Sequence, residues 1–400
     1  MRTLFLLDID CFFASVEMAL HPELRGKPLC VGGRRGERGI VACPNYEARA
    51  YGVKTAMPLR TAERLLPPDA VFLPGSHRVY GEYSKRVMDI LYAFTPDIEQ
   101  VSVDEAYMDV TGCLHFWKHP GDDAAAAARR MAAAMQDRIR RECGLGVSIG
   151  IGSTRVCAKI AASLKKPNGL VLVPHGGEKE FLSPLPVEMV PGIGTKTLPR
   201  MHARGIVSIG DLLRWQEQSP SLGGRYLASV AEGREDRVAA EERVEQSISR
   251  DHTFGRDTDD GSLIAAMLYH LVERCCKTLR QRGRSAATVT TRVRFADFTT
   301  VQKQAAIRPA EHEEEVFRAA HLLLQQLLPA GALIRLVGVK VSGLADARGA
   351  QLELGVAPLR NYGELHRRLD ALQAKYGSAS VRWGRTWNVE AVGEERGERA

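Results

Sequence analysis

The sequence predicts an α+β protein built of several domains. Three observations carry this reading: two short strand patterns that each run into acidic residues, two long helical periodicities that accompany them, and a strand-helix-strand-strand-helix-strand order between residues 247 and 344. At 400 residues the chain exceeds one ordinary core, and two to four domains are expected.

The first strand is the apolar run from Leu4 to Leu7, which leads into Asp8-Ile9-Asp10-Cys11-Phe12-Phe13. A helix starts over 13–19. Residues 13–76 are then punctuated by Gly32-Gly33-Arg34-Arg35-Gly36 and carry Arg49 and Lys54, as an insertion able to cover a site would. A helical pattern over 79–94 precedes an alternating strand, 98–103, that leads into Asp104 and Glu105. The Ala-rich stretch 122–143 reads as a helix, 146–151 as an apolar strand, and Pro167-Asn168-Gly169 as a turn. Short helices follow to about residue 235, interrupted by Pro191-Gly192-Ile193-Gly194, and the charged stretch 233–245 reads as a linker. The last six elements are a strand over 247–252, a helix over 263–282, strands over 287–295 and 300–307, a helix over 311–328 and a strand over 334–342. In the remaining 361–393, Leu365, Leu369 and Leu372 recur at helical spacing without an assigned role.

A net charge of +7 and a pI near 9.0 favour a polyanionic partner without deciding for one. The eight cysteines show no C-x-x-C spacing, which argues against a zinc site or a disulfide framework and for a reducing compartment. The N-terminus enters a strand with no basic leader, and no apolar stretch approaches the roughly 20 residues that span a bilayer. A cytoplasmic protein is expected.

If the two acid-tipped strands lie side by side, Asp8, Asp104 and Glu105 converge at one sheet edge and offer the hard oxygen ligands that magnesium takes. Two ions there would activate a hydroxyl and neutralise a leaving pyrophosphate, which is nucleotidyl-transfer chemistry. Acids at strand ends are also common turn residues, so the pair alone does not decide. Tyr46 and Arg49, three apart in Asn45-Tyr46-Glu47-Ala48-Arg49, could both reach a triphosphate, as could Lys159 in Ala158-Lys159-Ile160-Ala161. Read singly, Tyr46 fits a core, Arg49 a surface ion pair and Lys159 a solvated helix face. Gly192 and Gly194 fit a helix-hairpin-helix, in which glycines let backbone N–H groups approach a phosphate. Arg274, Lys277, Arg280, Arg282, Arg284, Arg292 and Arg294 fall within 21 residues that contain no acid, a pattern suited to tracking a nucleic-acid backbone.

Together, and in this order, these motifs, with Ser102-Val103-Asp104-Glu105-Ala106-Tyr107 and Lys166-Pro167-Asn168-Gly169, resemble the Y-family of translesion DNA polymerases, most closely the DinB type. The resemblance runs from Leu4 to about Leu344 and implies a right-hand polymerase. Its ferredoxin-like palm would be 1–12 and 77–167, small fingers 13–76, and a helical thumb with the helix-hairpin-helix 168–235. A linker at 236–246, a β-α-β-β-α-β little finger at 247–345 and a tail at 346–400 complete it. The resemblance makes Asp8, Asp104 and Glu105 the carboxylates for two Mg²⁺ ions, with the Ile9 carbonyl a further ligand. Tyr46, Arg49 and Lys159 match triphosphate-binding positions, Phe13 the aromatic gate that clashes with a ribose 2′-OH, and Phe12 a backing for the sugar.

Two departures from the family pattern stand out. Ala42-Cys43-Pro44 replaces a small hydroxyl residue and alanine before Asn-Tyr, keeping the roof over the nascent pair small while Pro44 reshapes it. Gln351-Leu352-Glu353-Leu354-Gly355 is spelled like a sliding-clamp (β subunit) peptide, with Gln351, Leu352 and Leu354 as its contacts, but lacks the common terminal Leu-Phe. The implied activity is low-fidelity, template-directed addition of dNTPs to a primer 3′-OH on primer-template DNA, without proofreading, by a monomer. The alternative is a catalytically inactive clamp-binding scaffold, against which all three acids remain. A small-molecule nucleotidyltransferase leaves the helix-hairpin-helix and the arginine run unexplained.

Overall fold

The computed structural model describes residues 2–218, 245–329, 331–347, 363–377, 380–381, 383–386 and 389. The chain forms two compact units, 1–239 and 240–400.

In the first unit the strands are β1 (Leu4–Ile9), β2 (Leu29–Val31), β3 (Cys43–Pro44), β4 (Val71–Leu73), β5 (Ile98–Gln100), β6 (Glu105–Asp109), β7 (Val147–Gly152) and β8 (Leu170–Leu172). They build a five-stranded sheet ordered β5-β6-β1-β7-β8 and a small sheet ordered β3-β2-β4. β1 is central and antiparallel to both neighbours, with every residue buried except the half-buried Asp8. Its continuous apolar run is the signature of a strand covered on both faces. Phe5, Leu7 and Ile9 pack with Val87 and Leu91 of helix His77–Tyr92 and with Met131, Met135 and Ile139 of helix Ala124–Cys143. Leu6, pointing the other way, meets Ala158 and Ala162 of helix Arg155–Leu164.

The helix boundaries follow local chemistry. Asp123 caps Ala124–Cys143 by accepting from the Ala126 N–H at 2.7 Å, and Gly144 ends it at φ 71°. Thr154 caps Arg155–Leu164 in the same way through Cys157. One expectation is corrected. Asp104 and Glu105 do not end an incoming strand: β5 stops at Gln100, the Val101 and Ser102 N–H groups fold back onto the Glu105 carbonyl, and the acids open the outgoing strand β6. Val101 and Val103, which make the pattern alternate, are exposed turn residues.

Beyond β8, helices Glu178–Leu182, Leu198–His202 and Ile209–Gln218 gather Leu182, Val187, Ile193, Ile209 and Leu212 into a core against Val156 and Ile160. The helix after Gly194 begins only at Leu198, with Pro199 in its first turn, and Gly192 takes φ 96°, which favours glycine.

The second unit has the expected element order. Strands β9 (Ser247–Thr258), β10 (Arg284–Phe295), β11 (Thr300–Ala310) and β12 (Ile334–Asp346) form an antiparallel sheet ordered β11-β10-β12-β9. Helices Gly261–Gln281 and Glu313–Leu327 cover the face that presents Val289, Val293, Val337 and Val341. The leucine spacing near the C-terminus is a helix, Gly363–Tyr376. The clamp-like residues Gln351, Leu352 and Leu354 lie outside the described residues.

That last helix corrects the reading of Arg280. Its side chain is only 7 % exposed, and its guanidinium holds Asp370 at 2.7 and 3.0 Å and Glu313 at 2.8 Å. Committed to the buried Glu313 and the half-buried Asp370, it is not presented to a phosphate backbone. Lys277 likewise donates to Gln373 at 3.0 Å. His366 completes the cluster, with Nδ1 2.9 Å from Glu313 Oε2 and its ring stacked on His312.

Removing one member of a buried ion cluster leaves the others uncompensated. Arg280→Ala is expected to destabilise the second unit by about 3–5 kcal/mol, measured by denaturant unfolding. A loss no larger than that of an exposed Arg368→Ala would show the cluster to be incidental.

Candidate active site

The site is set by strand register. In the β1–β6 pair Asp8 stands directly opposite Glu105, and the Ile9 N–H donates to the Asp104 carbonyl at 2.9 Å. Three acids therefore share one end of the sheet, an arrangement that local electrostatics disfavours, because like charges opposite one another across a sheet repel. Each carboxylate is held by its own partner. Lys166 Nζ pairs with Asp8 Oδ1, Lys159 Nζ lies 2.5 Å from Glu105 Oε1, and the Ser102 hydroxyl donates to Asp104 Oδ1. Burial pushes the Asp8 carboxyl above its ordinary value, Lys166 pulls it back, and Asp104 and Glu105 raise it further.

Among the described residues no three His, Cys, Asp or Glu side chains close into a ready metal cluster. The donor set nonetheless suits a hard divalent cation: three carboxylates at adjoining backbone positions, with two lysine ammonium groups already supplying positive charge there.

Two glycines allow the lysines to reach. A Cβ on Gly150 of β7 would lie 2.0 Å from the Ala158 carbonyl oxygen and 2.3 Å from the Ala162 nitrogen, so only glycine lets helix Arg155–Leu164 pack closely enough to place Lys159. A Cβ on Gly169 would lie 2.3 Å from the Lys165 carbonyl oxygen, in the turn that brings Lys166 back to Asp8. That turn is tied down by Asp10. Asp10 is buried, accepts from the Ser148 hydroxyl at 2.9 and 3.0 Å and from the Asn168 N–H at 2.7 Å, and takes a longer bond from the Tyr46 hydroxyl at 3.4 Å. The two acids of Asp8-Ile9-Asp10 thus divide their work: Asp8 faces the site and Asp10 braces the loops around it.

Phe13 and Phe12 open the helix Phe12–Leu20. The Phe13 ring stacks on Tyr80, centroids 4.3 Å apart and planes 14° apart, and meets His77 edge-on at 5.8 Å. The Tyr80 hydroxyl donates to Glu17 at 2.5 Å, and that bond, after burial, raises its pKa. Phe12 is buried beside the same ring. Tyr46 is half-buried, whereas Arg49 is exposed, its guanidinium 5.4 Å from the Tyr46 ring and its Nε donating to the Pro44 carbonyl at 3.2 Å. Cys43 is buried, in the core cluster that also holds Phe12 and Val31.

In the second unit Arg292 and Arg294 project from β10 on the sheet face away from the helices. Arg292 pairs with Asp251 at 3.0 Å, and Arg294 donates to Thr300 at 2.9 Å. Arg282, exposed, pairs with Glu245, and Arg284 is half-exposed at the start of β10.

Sequence reasoning missed two members of this site. Lys166 stands in a quoted motif, and the available signal was a cation directly before the turn that sends the chain back to the sheet. Tyr80 had no signal, since its contact with Phe13 is tertiary.

The chain is similar to known proteins along most of its length. Residues 7–163 match the model of the impB/mucB/samB family, and residues 245–354 that of the impB/mucB/samB family C-terminal domain. The chain is 39% identical to a DNA polymerase IV of Dehalococcoides mccartyi (strain CBDB1), over 97% of this chain and 98% of that protein. It is 35% identical to DNA polymerase IV 2 of Mesorhizobium japonicum, over 96% of this chain and 94% of that one. Among solved structures it is similar to a Y-family DNA polymerase chimera of Dbh and Dpo4 (TM-score 0.74, 28% identity, 86% of this chain and 99% of that one). It is also similar to an insertion ternary complex of Dbh DNA polymerase (TM-score 0.55, 27% identity, 85% and 98%).

The division between Asp8 and Asp10 is testable by thermal unfolding together with primer extension. Asp10→Ala strips buried donors of their acceptor and is expected to lose about 1–3 kcal/mol. Asp8→Asn relieves a raised, crowded carboxylate and is expected to unfold no earlier than the parent while losing activity. The reverse order of stabilities would contradict the assignment.

Proposed function

Because this chain belongs to the impB/mucB/samB family, the Y-family of DNA polymerases, and is a DNA-directed DNA polymerase of translesion synthesis, we propose that Asp8, Asp104 and Glu105 are its metal-binding catalytic carboxylates, with the Ile9 carbonyl beside them. The observation that carries this is the register placing Asp8 opposite Glu105, with Lys166 and Lys159 held on them. Two bound Mg²⁺ ions would supply the charge that activates the primer hydroxyl and neutralises the departing pyrophosphate.

The protein's own groups do the rest. Arg49, Tyr46 and Lys159 orient the triphosphate, and Lys166 would add a second ammonium group beside it. Phe13 excludes a ribose 2′-OH, and its ring is kept from yielding by the Tyr80 stack. Phe12 backs the sugar. Primer-template DNA is gripped through phosphate contacts by Gly192 and Gly194 in the first unit and by Arg282, Arg284, Arg292 and Arg294 in the second, with Lys277 at the margin. Such contacts carry no sequence information, and an exposed grip of this kind suits a distorted template and low fidelity without proofreading. Gln351, Leu352 and Leu354 are the candidate peptide for a sliding clamp, which would raise the effective concentration at the primer end. Among the described residues no helix is long and apolar enough to cross a membrane, and a monomer working in the cytoplasm is part of this reading.

Primer extension tests it. Asp104→Ala or Glu105→Ala is expected to slow dNTP insertion by at least about two orders of magnitude, and Phe13→Ala to admit ribonucleotides. Parent-like extension by either acid variant would refute the assignment. Arg292→Ala and Arg294→Ala should each weaken duplex binding and lower its salt slope by about one; unchanged slopes would remove them from the interface.

A further inference from the structure

Helix Arg155–Leu164 carries Lys159, yet the surfaces that bring it to the sheet are smooth. Gly150 and Gly152 of β7 leave no room for a side chain beneath it: a Cβ on Gly152 would lie 2.8 Å from the Cys157 Cβ and 3.1 Å from the Ala158 nitrogen. On the helix side the contact is made by Ala158 and Ala162, packed with Leu6 and Tyr107. Glycine and alanine permit close approach but raise few ridges to interlock. They fix the distance of the helix from the sheet better than its position along the sheet.

That position is set by a charged lock at the first residue of the helix. The Arg155 guanidinium donates to both oxygens of Glu99, from Nη2 to Oε1 at 2.9 Å and from Nη1 to Oε2, and its Cζ lies 4.1 Å from the centroid of the Tyr107 ring. Glu99 on β5 and Tyr107 on β6 stand directly opposite each other in the strand register. One guanidinium therefore grips two neighbouring strands. A planar, two-pronged contact stacked on a ring constrains direction as well as distance.

The spacing then delivers Lys159. Arg155 and Lys159 are four apart, about 6 Å along a helix, while Tyr107 and Glu105 are two apart on one face of a strand, about 6.8 Å. The two repeats nearly coincide, so the helix meets β6 in two steps, Arg155 on Tyr107 and Lys159 on Glu105 at 2.5 Å. We propose that Arg155, held by Glu99 and Tyr107, is a positioning residue for nucleotide binding, which sets the helix so that the Lys159 ammonium stands at the acidic end of β6. The inference rests on the reading of Lys159 as a triphosphate contact, and Arg155 acts through Lys159 without touching the nucleotide.

The test is a double-mutant cycle on the full chain, read as kcat and KM for single-dNTP insertion into primer-template DNA, with denaturant unfolding of each variant alongside. Lys159→Ala is expected to raise the dNTP KM several-fold. Arg155→Met is expected to raise it several-fold as well, with a smaller effect on kcat, and to add nothing further when Lys159→Ala is already present. Glu99→Gln, which keeps the shape of its side chain, should reproduce the Arg155→Met effect, and Arg155→Lys should restore most of the parent KM. Parent-like KM in both Arg155→Met and Glu99→Gln, or an Arg155→Met effect that persists in full beside Lys159→Ala, would overturn the positioning role while leaving Lys159 on the triphosphate. A parent-like KM in Lys159→Ala itself would instead overturn the triphosphate reading and this inference with it, so the two failures are distinguishable.

Discussion

The register of β1 against β6 is the constraint on which the rest of the molecule depends. It sets Asp8 opposite Glu105 and leaves Asp104 one residue away, an arrangement sheet energetics alone would avoid. A slip of one residue would turn Asp8 into the core and Leu7 into the site, so the burial of β1 on both faces enforces the register. The crowded acids are tolerated because two lysines from separate elements are brought onto them, each through a backbone approach that only glycine permits. Stability and the proposed chemistry are thereby coupled: the ammonium groups that relieve the acids are among those proposed to meet the triphosphate.

Around that edge, the second acid of Asp8-Ile9-Asp10 does structural work. By holding Ser148, Asn168 and Tyr46, Asp10 links the central sheet, the loop bearing Lys166 and the helix start bearing Tyr46 and Arg49. A parallel economy governs Phe13, whose stack on Tyr80 is anchored through Glu17 on Phe13's own helix. The Phe13 ring is therefore part of a packed unit that includes residues outside the motif that contains it.

Much of this was legible in the sequence because its signals are local. The apolar run before Asp8, the capping acid Asp123 and the glycine Gly144 fix elements within a residue or two of expectation. The acid pair Asp104-Glu105 was found but placed at the wrong end of a strand, because exposed Val101 and Val103 mimic the alternation of a buried one. Arg280 shows the limit most clearly. A one-signed run records which charges are near in sequence, while the partners that bury this guanidinium, Glu313 and Asp370, lie 33 and 90 residues away. Cys43, too, was read as a small roof residue, and only the tertiary structure shows it buried in the core.

The most direct test of the central claim is a structure of the full chain with primer-template DNA, a non-hydrolysable dNTP and Mg²⁺. The account predicts metal ions held by Asp8, Asp104 and Glu105, with Lys166 and Lys159 released from the carboxylates toward the phosphates. Metal bound elsewhere, with Lys166 still on Asp8 and Lys159 still on Glu105, would contradict it.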